Sequence, residues 1–260
     1  MGEYRWVELT SEDDGVRTLT LNKPPVNALG REMVEDLIEA FENLGDDDEA
    51  RCLIVRSAAK HFCAGADLKE RQDMTLDDVR RFVPQLAAAC NGLAAVPYPT
   101  IVAVAGAAAG GGCELALAAD IRLVADNARI GLRETALAII PGAGGTQRLP
   151  RLIGPARAKR WILGAELHDA AVALADGVAD RVVGLEQLDA ETRKLAATIA
   201  ANGPQAVRLA KRAIDQGAHL SLGDALTLEW ECYQETLESA DRAEALKAFA
   251  ETRPPRFRGC

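Results

Sequence analysis

The sequence predicts an α/β fold followed by a run of helices, and three observations carry that expectation. Short apolar or alternating stretches recur between segments of helical spacing as far as about residue 190. Beyond that point four helical segments follow one another with no strand pattern between them. The 260 residues, 48% hydrophobic but only 4% aromatic, can bury a substantial core built largely of Ala, Leu and Val. The expected division is a catalytic core over residues 1–190 and a C-terminal helical oligomerisation region over 191–260.

The elements follow in order. Tyr4–Leu9 and Val16–Leu21 alternate as strands do, joined by the polar turn Ser11–Gly15. Asn27–Gly30 leads into a helix near Arg31–Asn43, with Met33, Leu37, Ile38, Phe41 and Leu44 at helical spacing. Arg51–Arg56 is a buried strand, and Ser57–Asp67 a loop. An amphipathic helix from Leu76 to Ala95 is expected to break or bend at Pro84. Pro97 and Pro99 introduce a strand at Ile101–Ala105, then a glycine turn, a helix carrying Glu114, and strands at Asp120–Val124 and Arg129–Leu132. From Gly144 on the pattern is helical, with one short strand near Arg181–Val183. The last four helices are expected at 189–202, 204–216, 221–239 and 241–250, with Pro204 at a tolerated first-turn position. Such an extension commonly packs on a neighbouring subunit, so a homo-oligomer is expected.

Charge and cysteines narrow the function classes. A net charge of −9 opposes general nucleic-acid binding and adhesion to anionic membranes. The six cysteines show no C-x-x-C pair or metal-finger spacing, as expected of reduced thiols in an intracellular protein. His61 and Cys63 are neighbours in sequence, but no third group orients them for nucleophilic chemistry. No secretory signal is visible at the N-terminus, and Trp6 occupies the position where a myristoylated Met1–Gly2 terminus would need Ser or Thr. Ile101–Ala119 approaches the length of a membrane span, but four glycines and Glu114 spoil it. The expectation is a soluble, cytoplasmic protein, or the processed form of an organelle enzyme.

Two carboxylates stand out. From Thr100 to Ala119 the only charged side chain is Glu114, just behind Gly110, Gly111 and Gly112. Burying an unpaired carboxylate costs several kcal/mol or forces it to take up a proton. A first-turn Glu is also favoured by the helix dipole, so isolation alone leaves a structural role open. Glu134 follows twenty residues later and opens the charge-free stretch Thr135–Gln147 with its turn Pro141–Gly145. Two carboxylates sharing an apolar pocket push their pKa values apart, so that one can serve as acid and the other as base. Glycine turns at Cys63–Asp67, Gly110–Glu114 and Pro141–Gly145 can aim backbone N–H groups into a site, as an oxyanion hole requires. None of the three fits G-x-G-x-x-G, and no Walker A pattern occurs.

FCAGADLKE (Phe62–Glu70), AGGGCELALAADIRL (Ala109–Leu123) and GLRETALAIIPGAGGTQRLPR (Gly131–Arg151) resemble the crotonase, or enoyl-CoA hydratase/isomerase, superfamily. The likeness runs from LNKPPVNAL near the start to AFAETRPPRF at the end, and is greatest to enoyl-CoA hydratases and 3-methylglutaconyl-CoA hydratases. The resemblance implies a crotonase-like spiral of ββα units with a helical trimerisation region, assembled as a trimer or a dimer of trimers. It implies that Glu114 and Glu134 handle the water, that the N–H groups of Ala66 and Gly111 hold the thioester oxygen, and that Gly142 helps position the water. Coenzyme A, part of the substrate, would lie against Ala28, Ala64, Ala66, Asp67, Leu68 and Lys69, with Phe249 as the C-terminal aromatic. No metal or separate cofactor is implied. The acyl tail is expected to meet Leu68–Arg81 and the C-terminal helices.

The chain departs from the family pattern in two places. LNKPPVNAL is one residue short, and Thr252 replaces a lysine that often contacts phosphate, with Arg253 beside it. The activity this implies is hydration of a 2-enoyl-CoA thioester to 3-hydroxyacyl-CoA. The alternative is 3-methylglutaconyl-CoA hydration in leucine breakdown, which differs in the acyl pocket alone. An isomerase is less favoured, because that chemistry can run on one carboxylate and two are present. Some relatives bind RNA through a lysine-rich helix, but the matching segment Arg31–Arg51 carries far more acid than base.

Overall fold

The computed structural model describes residues 4–260; the Met1–Gly2 terminus lies outside them. Strands β1 (Val7–Ser11) and β2 (Val16–Leu21) precede helix α1 (Arg31–Gly45). Strand β3 (Cys52–Ser57) leads to a short α2 (Leu68–Gln72) and a long α3 (Leu76–Ala95). Next come β4 (Thr100–Val104), β5 (Ala107–Ala109) and α4 (Gly111–Ala118). After β6 (Ile121–Ala125) and β7 (Arg129–Gly131) the chain makes a 3-10 turn at Glu134–Leu137. Then follow α5 (Gly145–Ile153), α6 (Pro155–Gly164), β8 (His168–Asp169), α7 (Ala170–Asp176) and β9 (Arg181–Val183). Helices α8 (Leu188–Ala200), α9 (Pro204–Gly217), α10 (Leu222–Leu237) and α11 (Ala240–Ala250) complete the chain.

The main sheet runs β1-β2-β3-β4-β6-β9, antiparallel only between β1 and β2. A smaller sheet runs β5-β7-β8, and single bridges Leu29–Ala66 and Cys63–Ala108 extend its path. The chain thus repeats main-sheet strand, short second-layer strand and helix, the spiral of ββα units that the resemblance implied. The strand period of two divides the core. Leu53 and Val55 of β3 join Met33 and Phe41 of α1 and Leu86 of α3 on one face. Cys52 and Ile54 join Ala196 and Ala200 of α8 on the other. Because both faces are covered, every residue of β2 and of β4 is buried.

Several expectations shift. The first strand begins at Val7, not Tyr4, because the backbone N–H and indole of Trp6 donate to Asp36 and Glu32 of α1. Pro84 does not interrupt α3. A Thr75–Asp78 capping box starts that helix, and Phe82, Leu86, Ala89, Cys90 and Leu93 bury one face. That packing outweighs the roughly 3 kcal/mol an internal proline costs. Strands β5 and β8 and helix α2 carry no sequence pattern long enough to mark them. The C-terminal helices appear as expected, but α9 buries only Leu209 and α10 only Cys232.

Candidate active site

The pairing of β5 with β7 sets Ala109 opposite Gly131, and the Gly110 N–H donates to the Gly131 carbonyl at 2.9 Å. Glu114 lies in α4 beyond β5, and Glu134 opens the 3-10 turn beyond β7, so this register brings both to one cavity of about 390 Å³. Gly110 makes the junction possible. It has φ +53, and a Cβ there would stand 2.9 Å from Glu134 Oε1. An L side chain would be strained and would displace the carboxylate.

The two glutamates differ in environment. Glu114 is 2% exposed, and its Oε1 accepts the Ala143 N–H at 2.7 Å and the Gly145 N–H at 2.8 Å. Burial raises its pKa, while those two bonds and the Arg148 charge oppose the rise. Glu134 has a buried Oε2 with no partner among the described residues. Burial first, and then the Glu114 charge, push its pKa up to about 7. Both carboxyls are pushed up, but Glu114 ionises first, because the two N–H donors and Arg148 favour its carboxylate. Its charge then helps Glu134 keep a proton up to about pH 7.

Ala66 and Gly111 line the same cavity, and a Cβ on Gly111 would stand 3.7 Å from Ala66 N. Among the described residues neither N–H donates to a protein acceptor. Gly142 also lines the cavity, opposite Val83. Of the proposed coenzyme A contacts, Ala64, Ala66 and Leu68 line the cavity. Ala28 and Asp67 do not line it; they are joined to each other through Lys23, whose Nζ donates to Ala28 O at 3.0 Å and Asp67 Oδ2 at 3.2 Å. The Asp67 carboxylate also caps α2 by accepting from the N–H groups of Lys69 and Glu70, which helps hold its pKa low against its burial. Lys69 is exposed. Phe249, 87% exposed on α11, does not line the cavity. Arg253 does not offer a free cation in place of the missing lysine at 252. Its guanidinium is held by Glu244 at 2.6 and 3.1 Å and by Glu251 at 2.6 Å.

The acyl wall departs from expectation as well. Leu68 and Arg71 contribute, but the C-terminal helices do not; Arg133, Leu137, Ile139 and Ile140 take their place. The turn carrying Glu134 and the residues just after it supply this wall, which no periodicity announced. No Cys–His pair forms. Cys63 is buried and donates to Asn27 O, and burial pushes its thiol up to about 12, while His61 Nδ1 accepts the Ala107 N–H. A larger cleft of about 1080 Å³, walled by Arg17, Arg51, Arg208 and Arg258, contains neither glutamate. There Arg51 and Arg208 donate to backbone carbonyls and leave little for a ligand. No described helix is long and apolar enough to cross a membrane.

The ββα spiral, with two glutamates and two free N–H groups around one cavity, defines the crotonase class of fold and site. The family model for enoyl-CoA hydratase/isomerase matches residues 11–260. The mitochondrial methylglutaconyl-CoA hydratase of Rattus norvegicus is 45% identical over 99% of this chain and 84% of its own length. The probable mitochondrial enoyl-CoA hydratase 2 of Arabidopsis thaliana is 42% identical over 96% of this chain and 84% of its own. A 1.8 Å crystal structure of enoyl-CoA hydratase from Bacillus anthracis superposes with a TM-score of 0.96 at 40% identity, covering 98% of this chain and all of that one. This chain belongs to the enoyl-CoA hydratase/isomerase family, and it is an enzyme of the hydratase kind acting on coenzyme A thioesters.

Proposed function

We propose that the enzyme adds water across the 2,3 double bond of a 2-enoyl-CoA, with Glu114 as base and Glu134 as acid. The observation that carries this reading is the unequal preparation of two buried carboxylates beside two unsatisfied N–H groups. The thioester oxygen takes the N–H groups of Ala66 and Gly111, each such donor contributing about 3–4 kcal/mol to a developing oxyanion. Polarising the carbonyl makes C3 electrophilic. Ionised Glu114 removes a proton from water as the oxygen bonds to C3, and Glu134 delivers its proton to C2 of the enolate. Passing the proton gained by Glu114 on to Glu134 restores the starting state. Gly142, at the cavity wall beside the loop that holds Glu114, is placed to help hold the water. The test is turnover of crotonyl-CoA by Glu114→Gln and Glu134→Gln. Each is expected to lose at least about 10²-fold, the usual contribution of a general acid or base, while thioester binding survives. Near-wild-type turnover in either variant would overturn the mechanism.

A specific observation favours 3-methylglutaconyl-CoA, whose acyl group ends in a carboxylate, as the physiological substrate. Half-buried Arg71 and exposed Arg133 are the two cations that line the cavity, and among the described residues neither guanidinium has an ion pair or hydrogen-bond partner. A distal carboxylate would pair with them, whereas a plain alkyl chain would make no use of either charge. The methylglutaconyl-CoA hydratases among the relatives support the same substrate.

The assembly we propose is a trimer or a dimer of trimers. Leu222, Leu226, Trp230 and Tyr233 form an exposed stripe at helical spacing on α10, each at least 53% accessible, and Phe249 on α11 is exposed as well. Covering that stripe with a second copy would also give Phe249 a neighbouring subunit to reach. Five buried free thiols support a reducing compartment, in our reading the cytoplasm. Cell fractionation tests it.

A further inference from the structure

Outside the cavity, Arg148 of α5 makes two directed contacts. Its Nη1 donates to Ala143 O at 3.0 Å, and its Nη2 donates to Asn91 Oδ1 of α3 at 2.7 Å. Ala143 is also the residue whose N–H donates to Glu114 Oε1, so a single residue connects the guanidinium to the carboxylate. Gly144, next in sequence, has φ +112, and a Cβ on it would stand 2.1 Å from Arg148 Nη1. The loop therefore needs a residue without a side chain at 144 for the guanidinium to reach it. Arg148 does not line the cavity, so it touches no substrate.

We propose that Arg148 is a positioning residue that fixes the Ala143–Gly145 loop against α3 and, through that loop, holds Glu114 in place as the base. This rests on the assignment of Glu114 as base given above. The charged and titratable groups around Glu114 are Glu134 from the 3-10 turn, Cys113 on α4 itself, Cys90 on α3 and Arg148 on α5. Arg148 is the one cation among them. Burial favours a protonated Glu114, while Arg148 and the two N–H groups it organises favour the carboxylate. Without Arg148 the N–H groups lose their alignment and the charge is gone, so Glu114 would ionise only at higher pH.

The experiment compares Arg148→Met, Arg148→Lys and Asn91→Ala with wild type in crotonyl-CoA hydration across pH, together with thermal midpoints and the affinity for butyryl-CoA, which is not turned over. Arg148→Met is expected to lower kcat about 10- to 100-fold, the range a misplaced catalytic group costs. KM and butyryl-CoA affinity should change little, and the acid limb of kcat/KM should move to higher pH. Arg148→Lys should recover part of both effects, because it keeps the charge and one donor. A merely structural role would lower the midpoint and the active fraction and leave the limb in place. That result, or an unchanged rate in a folded variant, overturns the proposal. If Arg148→Met does not fold, Asn91→Ala decides. It keeps the cation but releases its anchor, and should move the limb in the same direction by less; an unmoved limb would sink the idea. A wild type that hydrates crotonyl-CoA, a dead Glu114→Gln and an indifferent Arg148→Met would remove this inference alone. Full turnover in Glu114→Gln would remove the mechanism on which it rests.

Discussion

Replacing Glu134 with Gln is expected to make the protein more stable at alkaline pH while it abolishes turnover. The carboxyl is 9% exposed, its Oε2 has no partner among the described residues, and its pKa is about 7 against an ordinary 4.5. The folded state therefore holds the Glu134 proton more tightly than the unfolded chain does. Stability linked to this group is full below about pH 4.5 and is lost as pH rises through about 7. At about 1.36 kcal/mol per pH unit, the gap amounts to ~3 kcal/mol of destabilisation at pH 8. Gln has nearly the same shape and cannot ionise, so it removes that penalty at pH 8 and offers nothing at pH 4.5. In a chain of this size about 1 kcal/mol moves the midpoint by ~2–4 °C, so a rise of several degrees is expected at pH 8 and little change near pH 4.5. Turnover should fall at least about 10²-fold, equivalent to ~2.7 kcal/mol in the barrier. Wild-type kcat/KM should itself decline as pH rises through about 7 and the acid is lost. Thermal melts of both proteins at the two pH values, with crotonyl-CoA assays alongside, check this. Equal midpoint differences at both pH values, or a less stable variant at pH 8, would refute the reasoning.

Gly111→Val is expected to cut kcat by about 10²–10³-fold, because a Cβ there already lies 3.3 Å from Leu29 and Leu86 and 3.7 Å from Ala66 N. Gly111 lacks the positive φ of Gly110, so its variant should melt closer to wild type than Gly110→Val does; normal activity in a folded Gly111→Val would move the oxyanion site elsewhere. Replacing Arg71 and Arg133 together with Leu should lower the preference for 3-methylglutaconyl-CoA over crotonyl-CoA by about ten-fold or more, the scale of a lost charge-assisted bond. An unchanged ratio of kcat/KM would argue against a carboxylate-reading wall. Leu226→Glu, in the middle of the exposed α10 stripe, should shift the sedimenting species toward monomer, and an unaltered mass would place the interface elsewhere.

Much of the site was legible because it sits where local chemistry is extreme. Glu114 is conspicuous as the one charge in twenty residues, and the glycine triplet before it marks a close backbone approach. Glu134 could be nominated, but only the β5–β7 register brings it to the same cavity, and β5 is three alanines with no alternation to read. The groups that prepare the pair were invisible. Nothing in the spacing said that the N–H groups of Ala143 and Gly145 would meet Glu114, or that Arg148 would brace them from behind. No pattern singled out Lys23, which the fold sets against Ala28 and Asp67, while Arg71 fell inside the Leu68–Arg81 stretch expected near the acyl tail and does line the cavity.

Periodicity in the chain settled the order of elements, the helical C-terminal run and the apolar faces, because those depend on neighbours a few residues apart. Pro84 marks the edge of that reach. The local rule predicted a break or a bend in α3, and burial of Phe82, Leu86 and Leu93 against the rest of the core kept the helix from breaking. The unequal ionisation of the two glutamates belongs to the folded state alone. It arises from the low-dielectric surroundings, the two N–H donors on Glu114 and their absence from Glu134 Oε2. Those conditions exist only after segments thirty residues apart have closed on one another, and no pattern along the chain measures that distance.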